Sequence, residues 1–139
     1  MKQHATEIHV STKGRGFVDV TGQVREWVRH CGVTTGLLTV FIRHTSASLL
    51  IQENADSDVL RDMETFFRGL VIDGDHRFLH VLEGPDDMAA HLRSALTQTQ
   101  LSIPVMGGNP ALGTWQGIYV YEHRTHRHRR TLALHLIGE

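Results

Sequence analysis

The chain has 139 residues, 40% of them hydrophobic and 21% charged, with a formal net charge of −1. This length corresponds to one domain, which we expect to span residues 1–139, and it allows a core large enough to fold without disulfides. The composition excludes a disordered chain, and the balanced charge excludes a non-specific nucleic-acid binder, which needs a strong positive field.

The cysteine content and the hydropathy pattern limit the class of protein further. The single cysteine, Cys31, excludes an intrachain disulfide and a cysteine-based zinc site. No apolar run approaches the length of a membrane span, and the first ten residues lack the apolar core of a signal peptide. We therefore expect a cytoplasmic protein that has no membrane partner.

The first third of the chain predicts a strand, a turn, a short extended stretch and a helix. Residues 3–11 partly alternate between apolar and polar side chains, as in a strand. A turn at 14–16 and an extended stretch at 17–20 precede apolar residues at the i, i+3, i+4, i+7 spacing of an amphipathic helix. Thr21 can cap this helix, and Gly32 should end it, because glycine favours the backbone conformation that closes helices.

The middle of the chain predicts a buried strand, a second strand and a second helix. Residues 36–43 are apolar on both faces, which is typical of a central strand that is covered on both sides. A short apolar run at 49–51 is expected to pair in the same sheet. Asp56 or Ser57 should then cap a helix. Its expected core-facing stripe is Val59, Met63, Phe66, Phe67 and Leu70.

The last part of the chain predicts one more helix among several strands. A short strand is expected at 78–82, and a helix should begin within 84–87, where proline and aspartate favour a helix start. A strand at 101–105 follows, and 111–123 with 130–137 should form a closing hairpin. Because strands outnumber helices and do not alternate regularly with them, we predict an α+β fold. It is a single domain of packed, mostly antiparallel β-sheets with about three helices.

Eleven histidines are unusual for this length, and histidine is the commonest metal ligand in proteins. His44 lies at the end of the buried strand, and Thr45 and Ser46 follow it with hydroxyls that can bind ligand oxygens. His91 lies four residues after Asp87, on the same face of the third predicted helix. A carboxylate in that position often orients a histidine that binds metal. Taken alone, each of these histidines also fits an ordinary polar side chain.

Twelve of the fourteen basic residues are arginine, a side chain suited to bidentate recognition of phosphate or carboxylate. A GC-rich genome produces the same bias. The segment EHRTHRHRR at 122–130 combines three histidines with four arginines. The positive charge of the arginines opposes metal binding by the histidines, so we expect a solvated basic loop that contacts an anion or a partner.

Five segments follow one another along the chain: HTSASLLIQENADSDVLRD, HVLEGPDDMAAHLRSAL, SIPV, LGTWQGIYVYEHR and HLIGE. Together they resemble the YjbQ-like family, a group of small bacterial and archaeal proteins also labelled secondary thiamine-phosphate synthases. The resemblance extends from Ile8 to Glu139. It implies an α+β fold assembled as a homotrimer, with a divalent metal bound where His44, His80 and His91 converge. Zn²⁺ is the expected ion, since three imidazoles leave one tetrahedral position open, and Mg²⁺ is the alternative if thiamine phosphate is formed.

The same resemblance suggests roles for residues around the metal. Glu53 is expected to be a general base or a supporting carboxylate, and His44 a catalytic residue as well as a ligand. A further set is expected to bind the substrate, a small phosphorylated or anionic molecule. This set is Thr45, Ser46, Arg93, Trp115 and Gln116.

Three functions remain open from the sequence. The first is an enzyme that acts on a phosphorylated small molecule, with weak thiamine-phosphate synthase activity. The second is a zinc-dependent hydrolase. The third is a non-catalytic trimeric module that binds an anion or a metal. Nucleic acid is not an expected partner, because no basic surface interleaved with aromatic residues is present.

Overall fold

The computed structural model describes residues 1–139 and contains eight strands and three helices. It confirms the predicted α+β fold with antiparallel sheets. The elements in chain order are β1 (Lys2–Ser11), β2 (Gly16–Asp19), α1 (Thr21–Cys31), β3 (Gly36–Ile42), β4 (Ala47–Glu53), α2 (Ser57–Leu70), α3 (Asp87–Leu96), β5 (Gln100–Met106), β6 (Asn109–Pro110), β7 (Gln116–Glu122) and β8 (Arg129–Gly138).

Two antiparallel sheets enclose the main core. The larger sheet has the strand order β1-β8-β3-β5-β6, and the smaller sheet has the order β2-β7-β4. In β8, Leu132, Leu134 and Leu136 are almost completely buried, while the residues between them are partly exposed. Because side chains alternate between the two faces of a strand, one face of the large sheet forms the core. Apolar residues of β4, β7 and α1 complete the same cluster.

Two strand pairings differ from the prediction. The strand β4 does not join β3, because β8 and β5 already occupy both edges of β3. The strands β7 and β8 do not form a hairpin: β7 lies between β2 and β4, and β8 lies between β1 and β3. The loop at 123–128 therefore carries the chain from the small sheet to the large one.

Local hydrogen bonds confirm the predicted end of α1 and start of α2, but the predicted cap Thr21 is wrong: Thr21 is the first residue of α1, and its hydroxyl accepts the backbone N–H of Ile118. Gly32 closes α1 with a φ of 68° and donates its backbone N–H to the carbonyl of Arg29. Asp56 caps α2 by accepting the backbone N–H of Asp58. The longest helix has 14 residues, and none is both long and apolar enough to cross a membrane.

Helix α2 lies on the outside of the protein, contrary to the buried stripe predicted for it. None of its residues is buried, and Phe66 and Leu70 are 63% and 55% exposed. Only part of its apolar face, including Met63 and Phe67, packs on the small sheet beside Tyr121. The helix covers a narrow three-stranded sheet, which cannot bury the whole stripe.

The strand predicted at 78–82 is absent, since residues 71–86 connect α2 and α3 without regular structure. Leu79 and Leu82 are almost fully exposed, so the apolar residues here bury no face. Two contacts hold this connection to the body of the protein. The backbone N–H of Gly74 donates to the carbonyl of Pro85 at 2.8 Å, and Asp73 forms an ion pair with Arg15 at 2.9 Å.

A buried polar junction lies where the chain leaves β7 and enters β8. Glu122 is completely buried and forms an ion pair with Arg130, which is also buried. The carboxylate also accepts hydrogen bonds from the hydroxyl of Thr12 and the backbone N–H groups of His123 and Arg124. Burial opposes ionisation of Glu122, but the hydrogen bonds from Arg130 and Thr12 outweigh it and lower its pKa.

His123, the next residue, is also completely buried. Its Nε2 lies 2.8 Å from the hydroxyl of Ser48, and its Nδ1 has no hydrogen-bond partner. Burial, reinforced by the positive charge of Arg93, lowers the pKa of His123 to about 3. The folded protein therefore holds this imidazole in its neutral form near neutral pH.

We expect His123 to make the stability of the protein depend on pH. An unfolded histidine takes up a proton as the pH falls below about 6.5, whereas folded His123 does not. Its contribution is complete above that pH and is lost between about pH 6.5 and pH 3. Between pH 7 and pH 5, the free energy of unfolding should fall by about 2 kcal/mol through this residue.

Urea denaturation at both pH values measures the effect in wild type and in His123→Gln. The variant should lose less stability than wild type over this interval, by about 2 kcal/mol. The control variant His30→Gln, at an exposed position on α1, should follow wild type. Equal pH dependence in wild type and His123→Gln would contradict the buried neutral histidine.

Candidate metal centre

The start of α3 and the connection that precedes it bring together three potential metal ligands. Asp87 is the first residue of α3, and His91 follows one helical turn later on the same face, as predicted. His80 comes from the connection before the helix. A turn at Gly84, whose φ of 102° favours glycine, directs the chain from His80 into the helix. No other histidine, cysteine, aspartate or glutamate groups in the chain form a comparable cluster.

Both imidazoles point to the same carboxylate oxygen. The Nε2 atom of His80 lies 2.6 Å from Oδ2 of Asp87, and the Nε2 atom of His91 lies 3.1 Å from it. Glu83 adds a second carboxylate oxygen, 3.1 Å from Nε2 of His80. Asp87 is nearly buried, while the side chains of His80 and His91 are 43% and 33% exposed. The cluster is therefore open to solvent on the histidine side.

The backbone carbonyl of Thr45 determines which nitrogen of His91 carries hydrogen. It lies 3.0 Å from Nδ1 of His91, and because a carbonyl only accepts hydrogen bonds, Nδ1 must be the donor. In a neutral imidazole, Nε2 then has a lone pair that points at the Asp87 carboxylate. Two acceptors 3.1 Å apart require a positive group between them, either a proton or a metal ion. A carbonyl that orients a histidine in this way is typical of metal sites.

Arg124 holds the carboxylates of Asp86 and Asp87 in place. Its guanidinium lies 2.7 Å from Oδ1 of Asp87 and 2.9 Å from Oδ2 of Asp86, and it also donates to the carbonyl of Glu83. Burial opposes ionisation of Asp86, but hydrogen bonds from Arg124 and Thr125 lower its pKa to about 2. The negative charge at the centre is therefore present at neutral pH.

The groups at the centre also shift one another's pKa values. The hydrogen bond to Asp87 raises the pKa of His80. Burial opposes ionisation of Asp87, but the hydrogen bond with His80 and the charge of Arg124 contribute to a pKa below the usual range. Each partner thus stabilises the charged form of the other. The carboxylate stays ionised, as a metal ligand must, whereas a metal ion would have to displace the proton that this contact favours on His80.

His44, the third predicted ligand, lies outside this cluster. Its Nε2 accepts the backbone N–H of Thr131 at 2.8 Å, and its Nδ1 lies 3.4 Å from the guanidinium of Arg130. Burial and the charge of Arg130 lower its pKa. Within one chain, the structure thus places two of the three predicted histidines together, and Asp87 is the third group of the cluster.

The predicted substrate-binding residues near His44 have structural partners. Thr45 is exposed and contributes its carbonyl to His91. The hydroxyl of buried Ser46 accepts a hydrogen bond from Arg130. Arg93 is completely buried, and its guanidinium contacts Glu64 and the carbonyl of Val71. Ser46 and Arg93 thus have partners inside the protein, and a substrate-binding role for them stays a prediction.

Glu53, Trp115 and Gln116 lie at the other end of the small sheet. Glu53 is the last residue of β4 and pairs with Gln116, whereas the centre contacts Thr45, two residues before the first residue of the strand. A strand of this length separates its ends by about 20 Å. The carboxylate of Glu53 accepts a hydrogen bond from the backbone N–H of Asp56. The side-chain oxygen of Gln116 accepts a hydrogen bond from the backbone N–H of Gly113. Trp115 is 63% exposed. Within one chain, these residues do not approach the metal centre.

Three charged residues of the centre were absent from the sites predicted by the sequence: Glu83, Asp86 and Arg124. The acidic pair at the predicted start of α3 was a partial signal, but it is equally typical of a helix start. Arg124 lies 37 positions after Asp87 in the chain, and only the crossing between the sheets brings it back to the centre. No local pattern could have linked it to α3.

Known proteins share both the sequence and the fold. A family model described as UPF0047 protein YjbQ-like matches residues 6–139. A UPF0047 protein of Synechocystis sp. is 49% identical over 138 residues, covering 99% of this chain and 94% of that protein. The UPF0047 protein YjbQ of Escherichia coli O157:H7 is 42% identical and covers 94% of each chain.

Solved structures agree over nearly the whole length. The crystal structure of a hypothetical protein from Aeropyrum pernix K1 has a TM-score of 0.89 at 34% identity, covering 98% of this chain and 99% of that chain. An uncharacterised yjbq/upf0047 family protein from Clostridium acetobutylicum has a TM-score of 0.83 at 34% identity, and the match covers 94% of this chain and 99% of that chain. The sequence match and the shared fold together show that the chain belongs to the YjbQ-like UPF0047 family.

Proposed function

We propose that the protein binds a divalent metal ion through His80, Asp87 and His91 and acts there on a phosphorylated small molecule. The observation that carries this proposal is the convergence of two imidazole nitrogens on one oxygen of Asp87. The carbonyl of Thr45 supports it by directing the Nε2 lone pair of His91 into the cluster. The ligand atoms of the three residues all lie within 4.8 Å of one another.

The set of donor atoms favours Zn²⁺ over Mg²⁺. Two imidazole nitrogens with one carboxylate oxygen are a common ligand set in catalytic zinc sites, whereas Mg²⁺ prefers oxygen ligands and bound water. Three protein ligands leave one tetrahedral position for a substrate oxygen or a water molecule. Two neutral imidazoles and one carboxylate also leave a net positive charge at the ion, which favours an anionic substrate.

The residues around the metal have distinct roles in this proposal. When bound, the ion supplies a Lewis acid for a phosphate oxygen or lowers the pKa of a coordinated water. Arg124 keeps Asp87 ionised and correctly oriented. Glu83, whose side chain is 64% exposed, lies beside His80 and can accept a proton from an incoming water molecule. This position of Glu83 favours hydrolysis of a phosphate ester, with formation of thiamine phosphate as the second reaction to test.

Metal content measures the first part of the proposal. Protein purified without a histidine tag and supplied with zinc should contain one ion per chain by mass spectrometry. His91→Ala and Asp87→Asn should weaken zinc binding by at least about tenfold, because each removes a ligand. His44→Ala should retain zinc, and His76→Ala, an exposed histidine of the same connection, is the matched control. Retention of zinc by His91→Ala, or its loss in His44→Ala alone, would contradict this ligand set.

Activity measures the second part. The zinc-loaded protein should release phosphate from p-nitrophenyl phosphate, lose this activity with a chelator and regain it with zinc. Glu83→Gln should keep its zinc but lower kcat by about 100-fold, the usual size of a general-base effect. A parallel assay follows pyrophosphate release from the two thiamine precursors. A protein that binds zinc but catalyses neither reaction would support the non-catalytic module instead.

We also propose that a homotrimer forms through the apolar surface beside His80. Three residues of the connection at 71–86, Leu79, Val81 and Leu82, are 98%, 59% and 96% exposed. Apolar side chains exposed together in this way typically mark an interface. Sedimentation velocity should show a trimer for wild type and a smaller species for the double variant Leu79→Ser/Leu82→Ser. A monomeric wild type would exclude this assembly.

A further inference from the structure

A polar cleft of about 380 Å³ lies between the end of β1 and the loop that leads into β8. Its walls contain no apolar residue and none of the metal-centre residues. One wall is formed by Ser11, Thr12 and Lys13, and the other by Arg127, His128 and Arg129. The cleft therefore joins the basic loop of the sequence to a lysine that is more than 110 positions away in the chain.

The cations of this cleft have no carboxylate partners. Eight of the fourteen lysine and arginine side chains in the protein form ion pairs. Three of the six that do not, Lys13, Arg127 and Arg129, line this one cleft. The carboxylate of Glu122 approaches His128 at 3.9 Å, but it is completely buried and already paired with Arg130. The cleft thus carries a net positive charge in a protein whose overall charge is −1.

The two walls are fixed to each other by hydrogen bonds. The backbone N–H of Thr12 donates to the carbonyl of His128 at 2.8 Å, and the Thr12 hydroxyl accepts the N–H of His128 at 3.1 Å. The same hydroxyl donates to buried Glu122 at 2.6 Å. The two backbone segments that carry the cations are therefore held next to each other before any ligand binds, which reduces the entropy lost on binding.

We propose that this cleft is a second binding site, separate from the metal centre, for a small anion that carries phosphate groups. Arginine guanidinium groups bind phosphate oxygens through paired hydrogen bonds, and the lysine ammonium adds a point charge. Three permanent cations match an anion with two or more negative charges. A cleft of this volume accommodates a pyrophosphate or a phosphorylated small molecule, but it does not provide the extended groove that a nucleic-acid strand needs. The site does not depend on metal binding.

The test uses inorganic pyrophosphate as the probe, titrated calorimetrically into the metal-free protein at low ionic strength. The triple variant Lys13→Ser/Arg127→Ser/Arg129→Ser should bind pyrophosphate at least tenfold more weakly than wild type. The matched control Lys2→Ser/Arg25→Ser/Arg29→Ser removes the three other unpaired cations and the same total charge. It should bind within about threefold of wild type. Thermal melting of both triple variants, compared with wild type, checks that they fold.

The outcomes separate this site from the metal centre and from other ligand classes. Binding should persist in His80→Ala/His91→Ala, whose metal ligands are lost. Loss of binding in that variant would overturn the proposal and assign pyrophosphate to the metal centre. Equal weakening in both triple variants would also overturn it, since it would show a general charge effect. A single-stranded oligonucleotide that binds more than tenfold tighter than pyrophosphate, through the same three residues, would overturn the assignment to a small anion.

Discussion

The ion pair between Glu122 and Arg130 is the constraint on which the arrangement of both sheets depends. Glu122 is the last residue of β7 and Arg130 is the second residue of β8, so the pair closes the crossing from the small sheet to the large one. A buried carboxylate is unfavourable unless it is fully paired, and removing either partner of such a pair is strongly destabilising. Hydrogen bonds from Thr12 and from two backbone N–H groups complete the environment of Glu122. The end of β1 is thereby fixed to the same point.

The crossing loop connects this junction to both proposed sites. The backbone of Arg124 is held by Glu122, while its side chain orients Asp86 and Asp87 at the metal centre. A few residues later, Arg127 of the same loop and Arg129 at the start of β8 line the basic cleft. The arginines of this short segment therefore have two different roles. Arg124 neutralises the carboxylates of Asp86 and Asp87, whereas Arg127 and Arg129 form no ion pair within the protein and are available to an external anion.

The proposed metal centre combines a rigid half with a more open half. Asp87 and His91 belong to a helix, and the carbonyl of Thr45 fixes the His91 ring. His80 comes from an irregular connection with nearly fully exposed leucines on either side. Ligands on a helix are held more precisely than ligands on a loop.

The sequence by itself determined the antiparallel α+β class, the three helices with the caps at Gly32 and Asp56, and the pairing of Asp87 with His91. These features are local: they depend on side-chain periodicity, on glycine and aspartate at helix ends, and on one helical turn. Only the tertiary structure decided that β3 and β4 belong to different sheets and that Glu53 lies at the end of β4 remote from the cluster. It also decided that Arg124 forms an ion pair with Asp87 and that Lys13 and Arg127 line the same cleft. The physical reason is that strand pairing depends on which edges are already occupied, and this is a property of the whole sheet and not of any single segment.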